Sequence, residues 1–526
     1  MGMAAVQRAD LGDGFAEAES SFSGLVCRLQ AEETARMSHS DLESLLEKEG
    51  RELMRQLLQG HLDLRAQGKM EGPVVGADGV ERTHHRQGER QLETLLGTVK
   101  VEREGHGARG SRTLFPLDAE LNLPEELYSF GVRRRAGEEA AKGSFDEVVK
   151  VLRKHSGAEV AKRQVEEVVL RAARDFDGFY LARRMDWQTQ AVESSGILAL
   201  TFDGKGVAMR HEDLRPATKA AAARRNRKLE KRLSKGEKRA TKRMSQVAAV
   251  YTIEPFMRGV DAIIGDLRPG DGPRPKRPRP EGKRVWASVE KEPVEVIEEA
   301  FLDACSRDPK REKKWVALLD GNADQLALVR AAAKKHRAEV TIVLDVIHVL
   351  EYLWKAAYVF HAEGSSEAEN WVTERLLWLL CGQAGQVVAS IRRSATLRGL
   401  TAAVRKPADK CADYIENHKA YVRYDKYLES GLPIATGVIE GACRHLVRDR
   451  MEITGARWSL SGAEAILRLR SLKASGDLDE YWRYHEQMER ARNHEALYAN
   501  GEPPKLTQPK AASRRAGKTP HLRIVE

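Results

Sequence analysis

The chain is poor in cysteine: five in 526 residues, at positions 27, 305, 381, 411 and 443, with no Cys-x-x-Cys pair. A zinc ribbon is therefore not expected. The odd count and wide spacing fit reduced thiols rather than a disulfide framework. Long apolar runs are also missing. The N-terminus has no apolar stretch of signal-peptide type. Charge interrupts every later apolar stretch well short of the ~18 residues of a membrane span. These absences point to a cytoplasmic chain with no membrane partner. What is present is a 41% apolar composition, which argues against wholesale disorder or a fibrous chain. The length suits roughly three to four domains. The formal charge of +10 favours a polyanionic partner, and its distribution says more than its total.

Residues 14–65 read as helix. Ser40 and Glu43 have capping-box spacing, and Leu42, Leu46, Leu53 and Leu57 recur with the helical period of a core or oligomer face. Residues 72–122 change character, with alternation through Leu95, Gly97, Val99 and Val101 that predicts a β-hairpin module. His84, His85 and His106 fall here without cysteines and read as exposed histidines, not as a metal site. From 125 to 185 the pattern is helical again. Phe145 to Ser156 is amphipathic, Gly157 breaks it, and a second helix starts near Val160. That is the outline of a helix-turn-helix, with Lys162 and Arg163 where base or phosphate contacts are made. An ordinary αα-hairpin fits the same residues equally well.

From 196 onward strands alternate with helices. Ile197–Phe202, Val247–Ile253 and Val285–Val289 are predicted strands, followed by a helix over Glu292–Ala304 with Pro293 in its first turn. A fourth strand at Trp315–Leu319, a helix over Ala323–Lys335, a fifth strand at Val340–Leu344 and a helix from Val346 complete the pattern. Three strands and then helix-strand-helix-strand-helix imply a mixed five-stranded sheet carrying helices. Residues 215–245 interrupt it with thirteen Lys/Arg against two Glu. Such a run is either a solvated face or a phosphate-binding segment. Its candidate DNA contacts are Arg224, Arg225, Arg227 and Lys228, then Lys238, Lys242 and Arg243. The expected organisation is a helical segment (1–70), a small β module (71–122) and a helix-turn-helix-like region (123–190). A catalytic α/β core follows (191–345, with a basic insertion at 211–245), then an all-α insertion (346–430), completion of the core with C-terminal helices (431–498) and a disordered basic tail (499–526).

Three acids then stand out. Asp203 and Asp320 each follow an apolar run and precede glycine, and Glu440 lies where a turn becomes a helix. Singly, each Asp-Gly is a turn signal, and Glu440 is a surface helix residue. Together, beside basic segments, they form a hard-oxygen pocket for Mg²⁺ or Mn²⁺ at the carboxyl ends of strands. Two such ions ~3.5–4 Å apart suit phosphodiester chemistry, with Asp203 as the bridging ligand. Glu440, Arg444 and Arg448 recur at helical spacing on one face. They are either an intrahelical ion pair or a metal ligand beside two phosphate clamps. Asp345 and His348 are a further pair, supporting the metal ligands or simply structural.

These residues occur in an order that resembles the DDE-type transposases of bacterial insertion sequences, in the Kra-type group related to Mutator-like transposases. The matching segments are Thr201 to Gly206, Gly236-Glu237-Lys238 with Lys242-Arg243-Met244, Leu319-Asp320-Gly321-Asn322, Asp345 with His348, Thr436 to Gly441, and Arg457-Trp458-Ser459-Leu460 with Gly462 to Ala465. The resemblance runs from about residue 85 to 485 and implies a ribonuclease-H-like core. It matches Asp203, Asp320 and Glu440 to the acidic triad, and the 120 residues from Asp320 to Glu440 to an all-helical insertion. Asp345 and His348 match the Asp-x-x-His motif of Mutator-like relatives. The implied activity is metal-dependent cleavage at element ends and strand transfer into target DNA, by a homo-oligomer on DNA with Mg²⁺ or Mn²⁺ as cofactor. A non-catalytic DNA-binding relative and a ribonuclease-H-like nuclease are the alternatives. The cysteine pairs that relatives carry in the N-terminal β region are absent from Glu104 to Gly110.

Overall fold

The computed structural model describes residues 14–189, 196–224, 241–266, 276–435 and 437–507. The chain separates into two compact units, one of residues 1–172 with 482–526 and the other of residues 173–481. Among the described residues no helix is long and apolar enough to cross a membrane.

In the first unit, α1 (Ala16–Leu29) packs on the long α2 (His39–Ala66). Ser38 caps α2 by accepting from Asp41 N at 3.2 Å. The cap therefore lies two residues before the Ser40–Glu43 pair with the same spacing. Helix α2 also packs on the hairpin of β1 (His84–Thr94) and β2 (Gly97–Gly107), around Leu62, Leu92, Val99 and Val101. Helices α3 (Phe130–Ala140), α4 (Phe145–Ser156) and α5 (Lys162–Ala172) follow. Helix α4 has a full capping box from Ser144 and Glu147. It ends at Gly157, whose φ of +69° is left-handed and favours glycine. Of the expected tail, Leu506–Thr507 pairs with Lys69–Met70, and residues 508–526 lie outside the described residues.

The second unit is mixed α/β, built on a five-stranded mixed sheet as the alternation implied. The strands are β3 (Ile197–Ala208), β4 (Lys242–Ile253), β5 (Glu281–Ser288), β6 (Lys314–Leu319) and β7 (Val340–Leu344), in the order β5-β4-β3-β6-β7. Strand β4 is antiparallel to both β3 and β5, whereas β3, β6 and β7 are parallel. The parallel connections run through α6 (Pro293–Arg307) and α7 (Ala323–Lys335). Ile197–Phe202 and Trp315–Leu319 are continuously buried, as strands covered on both faces require.

After β7 come α8 (Val346–Phe360), α9 (Ser366–Leu380), α10 (Ala384–Leu397) and α11 (Ala402–Asn417). They share one apolar core with the parallel half of the sheet, where Val316, Leu318 and Val343 meet Leu353, Leu379 and Ile415. The insertion is thereby fixed against the strands that carry the acids. The short α12 (Gly437–Ala442) and the long α13 (Leu460–Ser475) complete the labelled elements, with α13 packed on β5.

Candidate active site

The register of the parallel strands determines where the acids stand. Thr201 pairs with Leu318, and two residues on in each strand come Asp203 and Asp320. Leu319 pairs with Leu344, and the next residues are Asp320 and Asp345. Three aspartates therefore occupy one level across three adjacent strands.

Their local settings differ. Asp203 does not end its strand, because β3 runs on to Ala208 paired with β4 alone, Asp203 opposite Val247. The Asp203-Gly204 pair is thus strand and not turn. Asp320 does end β6. Gly321 follows with φ +86°, and a Cβ there would meet Leu344 Cδ1 and Tyr414 Oη at 2.9 Å. Asp320 Oδ1 accepts from Asn322 N at 2.9 Å, and Tyr414 Oη donates to the Asp320 carbonyl at 2.6 Å. Asp345 is buried and caps α8, accepting from Ile347 N at 2.8 Å.

Glu440 completes the group from α12. Burial raises its carboxyl above the ordinary range, and negative charge on Asp345 and Asp203 adds to this while His348 opposes it. The Cys443 thiol donates to Asp203 Oδ2 at 3.1 Å. Burial, and then the Asp203 charge, push this thiol's pKa up, so it stays protonated as a donor. Asp203, Asp345 and Glu440 thus form one electrostatic cluster, with His348 beside it. Asp320 stands between Asp203 and Asp345 in register and shares with Asp345 an influence on the Tyr414 hydroxyl.

Among the described residues, no three of these carboxylates bring oxygens within 4.8 Å of one another. The donor set is all oxygen and acidic, which matches Mg²⁺ or Mn²⁺.

The basic residues sort into two kinds. Arg243 donates to three main-chain carbonyls, those of Val289 at 2.6 Å, Asp213 at 3.2 Å and Glu290 at 3.4 Å, and so braces the sheet edge. Lys242 pairs with Glu452 at 2.8 Å, and exposed Arg448 reaches the same carboxylate at 3.6 Å. Arg444 is exposed, 3.8 Å from Asp449. The shared face expected for Glu440, Arg444 and Arg448 is altered, because Cys443–Arg448 is a π-helical turn that winds more residues per turn than an α-helix. Arg224 is exposed at the end of a short helix. Arg225, Arg227, Lys228 and Lys238 lie outside the described residues. In the first unit, Lys162 pairs with Asp146 at 2.7 Å, and Arg163 is exposed near Glu167.

Lys205 was not singled out by sequence reasoning. It follows Asp203 by two on β3 and so leaves the same face. Its charge acts on both Cys443 and Glu452, which places it at the site. The strand periodicity would have revealed it, had β3 been carried past Asp203.

No family model matches the chain, and no curated protein matches it.

Proposed function

We propose that the chain is a DDE-type DNA transposase, cleaving insertion-sequence ends and joining the freed 3′-hydroxyl to target DNA. The observation that carries this reading is the alignment of Asp203, Asp320 and Asp345 at one level of three parallel strands, with the Glu440 carboxyl coupled to Asp203 and Asp345. The strand order, antiparallel on one side of β3 and parallel on the other, is compatible with the ribonuclease-H-like core this reading expects.

Asp203, Asp320 and Glu440 are the proposed metal ligands, with Asp345 at the same strand level as Asp320. Bound Mg²⁺ would lower the pKa of an attacking water or hydroxyl and offset charge on the leaving oxygen. The chain's own groups do the rest. Tyr414 holds the main chain at Asp320, and Cys443 holds one oxygen of Asp203. Lys205, Arg444 and Arg448 supply cations for the phosphates flanking the scissile bond. The DNA partner and a homo-oligomeric complex on it belong to this proposal.

The test uses DNA carrying the sequences that flank the gene. Wild-type protein with Mg²⁺ should nick at the element ends and transfer strands, and Asp203→Asn and Glu440→Gln proteins should do neither. Cleavage without transfer would favour the nuclease, and binding without cleavage the non-catalytic relative. Full activity in either substituted protein would overturn the ligand assignment.

A further inference from the structure

We propose that the open end of the β1–β2 hairpin binds one divalent transition-metal ion of the zinc class, through His85 Nδ1, a Glu104 carboxylate oxygen and His106 Nε2. This inference stands apart from the transposase reading, because it concerns the first unit alone.

The hairpin register builds the site. His85 and His106 are direct partners across the two antiparallel strands, and Glu104 precedes His106 by two on β2. Direct partners and residues two apart leave the same face of a sheet. All three side chains therefore project together, at the end remote from the Leu95-Leu96 turn. One atom from each lies within 4.8 Å of the others. His85 Nδ1 is 3.0 Å from Glu104 Oε1, and His106 Nε2 is 3.6 Å from Glu104 Oε2. Two ligands ~2.0–2.1 Å from a tetrahedral zinc stand roughly 3.3 Å apart, between these two values. The two rings meet edge to face, with centroids 4.7 Å apart.

His106 supplies an independent observation. Its side chain is 2% exposed, and its Nδ1 makes no hydrogen bond. The 3.6 Å from Nε2 to Glu104 is too long for one. Nε2, the nitrogen nearer Glu104, makes no hydrogen bond among the described residues and so keeps a lone pair available to an ion. Two imidazoles and one carboxylate favour zinc-like ions over Mg²⁺, and half-exposed His85 and Glu104 leave a fourth position for water.

An ion here would also hold more than the hairpin. The main chain of His106 exchanges hydrogen bonds of 2.7 and 2.8 Å with Leu114. Coordination would therefore pin the returning segment 108–114 together with the strand ends.

The test is metal content of the full-length chain, stripped with chelator, loaded with Zn²⁺, desalted and measured by elemental analysis. Wild-type protein should retain one equivalent that His85→Ala and His106→Ala lose. His85→Cys, which restores a ligand, should keep it, and so should Asp203→Asn, whose change lies in the other unit. Zn²⁺ should raise the melting temperature of the wild type and not that of His85→Ala. His85 is exposed, so its alanine variant folds and decides the matter even if His106→Ala does not. Equal zinc content in wild type and His85→Ala, or loss in both His85→Ala and His85→Cys, would overturn the site.

Discussion

The Tyr414 hydroxyl, carried by the helical insertion, donates to the main-chain carbonyl of Asp320 at 2.6 Å. Tyr414→Phe removes this bond and keeps the ring that stacks on Tyr352 at 4.0 Å. Stability should fall by about 1 kcal/mol. Strand cleavage should need a several-fold higher Mg²⁺ concentration, because the turn bearing Asp320 is less fixed. Titrating Mg²⁺ against cleavage rate checks this, and an unchanged requirement would refute a positioning role.

Gly321 and Gly204 both follow an acid, yet substitution should separate them. Gly321→Ala forces a left-handed residue and a Cβ 2.9 Å from Leu344 and Tyr414. It should cost more than ~1 kcal/mol. Gly204 lies in extended strand, where an added Cβ meets the flexible end of Met244 at 3.1 Å. Urea unfolding of the two alanine variants should rank Gly321→Ala as clearly the less stable.

The protonated Cys443 thiol should resist alkylation. At pH 8, iodoacetamide should label exposed Cys27 and Cys381 well before Cys443, read by peptide mass spectrometry. Cys443→Ser, which keeps a donor to Asp203, should retain more cleavage activity than Cys443→Ala. Equal activity in the two variants would show that the bond does not matter.

Asp303 predicts an acid-dependent loss of stability. Burial disfavours its charge, but Arg307 and Arg284 outweigh burial and hold its carboxyl below the ordinary value. Its bond to Arg284 Nη1 is 2.9 Å and that to Arg307 Nε 2.8 Å. A lowered folded pKa means the contribution is complete above the unfolded value of ~3.9 and fades as pH falls through the folded one. Asp303→Asn should cost about 3–5 kcal/mol near neutrality. The gap from wild type should narrow as pH falls below the unfolded value, as melts across pH will show.

The strand interiors were legible because Ile197–Phe202 and Trp315–Leu319 are apolar without a break. The strand ends were not. Asp203-Gly204 carries the signature of a turn, yet β4 keeps pairing down to Lys242 through a polar stretch with no alternation. Asp345 was legible only as a neighbour of the site, since its level with Asp320 depends on a pairing that linear order does not display. The arginine face beside Glu440 assumed α-helical winding, and the π-helical turn at Cys443–Arg448 changes it. His84, His85 and His106 read as exposed histidines for want of cysteine, but His106 is buried and Glu104 joins His85 and His106 in one group. It becomes visible only when the hairpin sets His85 opposite His106.

The shared level of Asp203, Asp320 and Asp345 has an evolutionary consequence. Chain length between the acids is free to drift, because segments inserted after β3 or after α8 leave the strands where they are. Length within a strand is not free. A single residue gained or lost between Ile197 and Asp203, or between Lys314 and Asp320, would slide one acid by ~3.3 Å and turn it to the opposite face. Related chains should therefore vary widely in the loops and the helical insertion, and hardly at all in the count of residues that brings each strand to its aspartate.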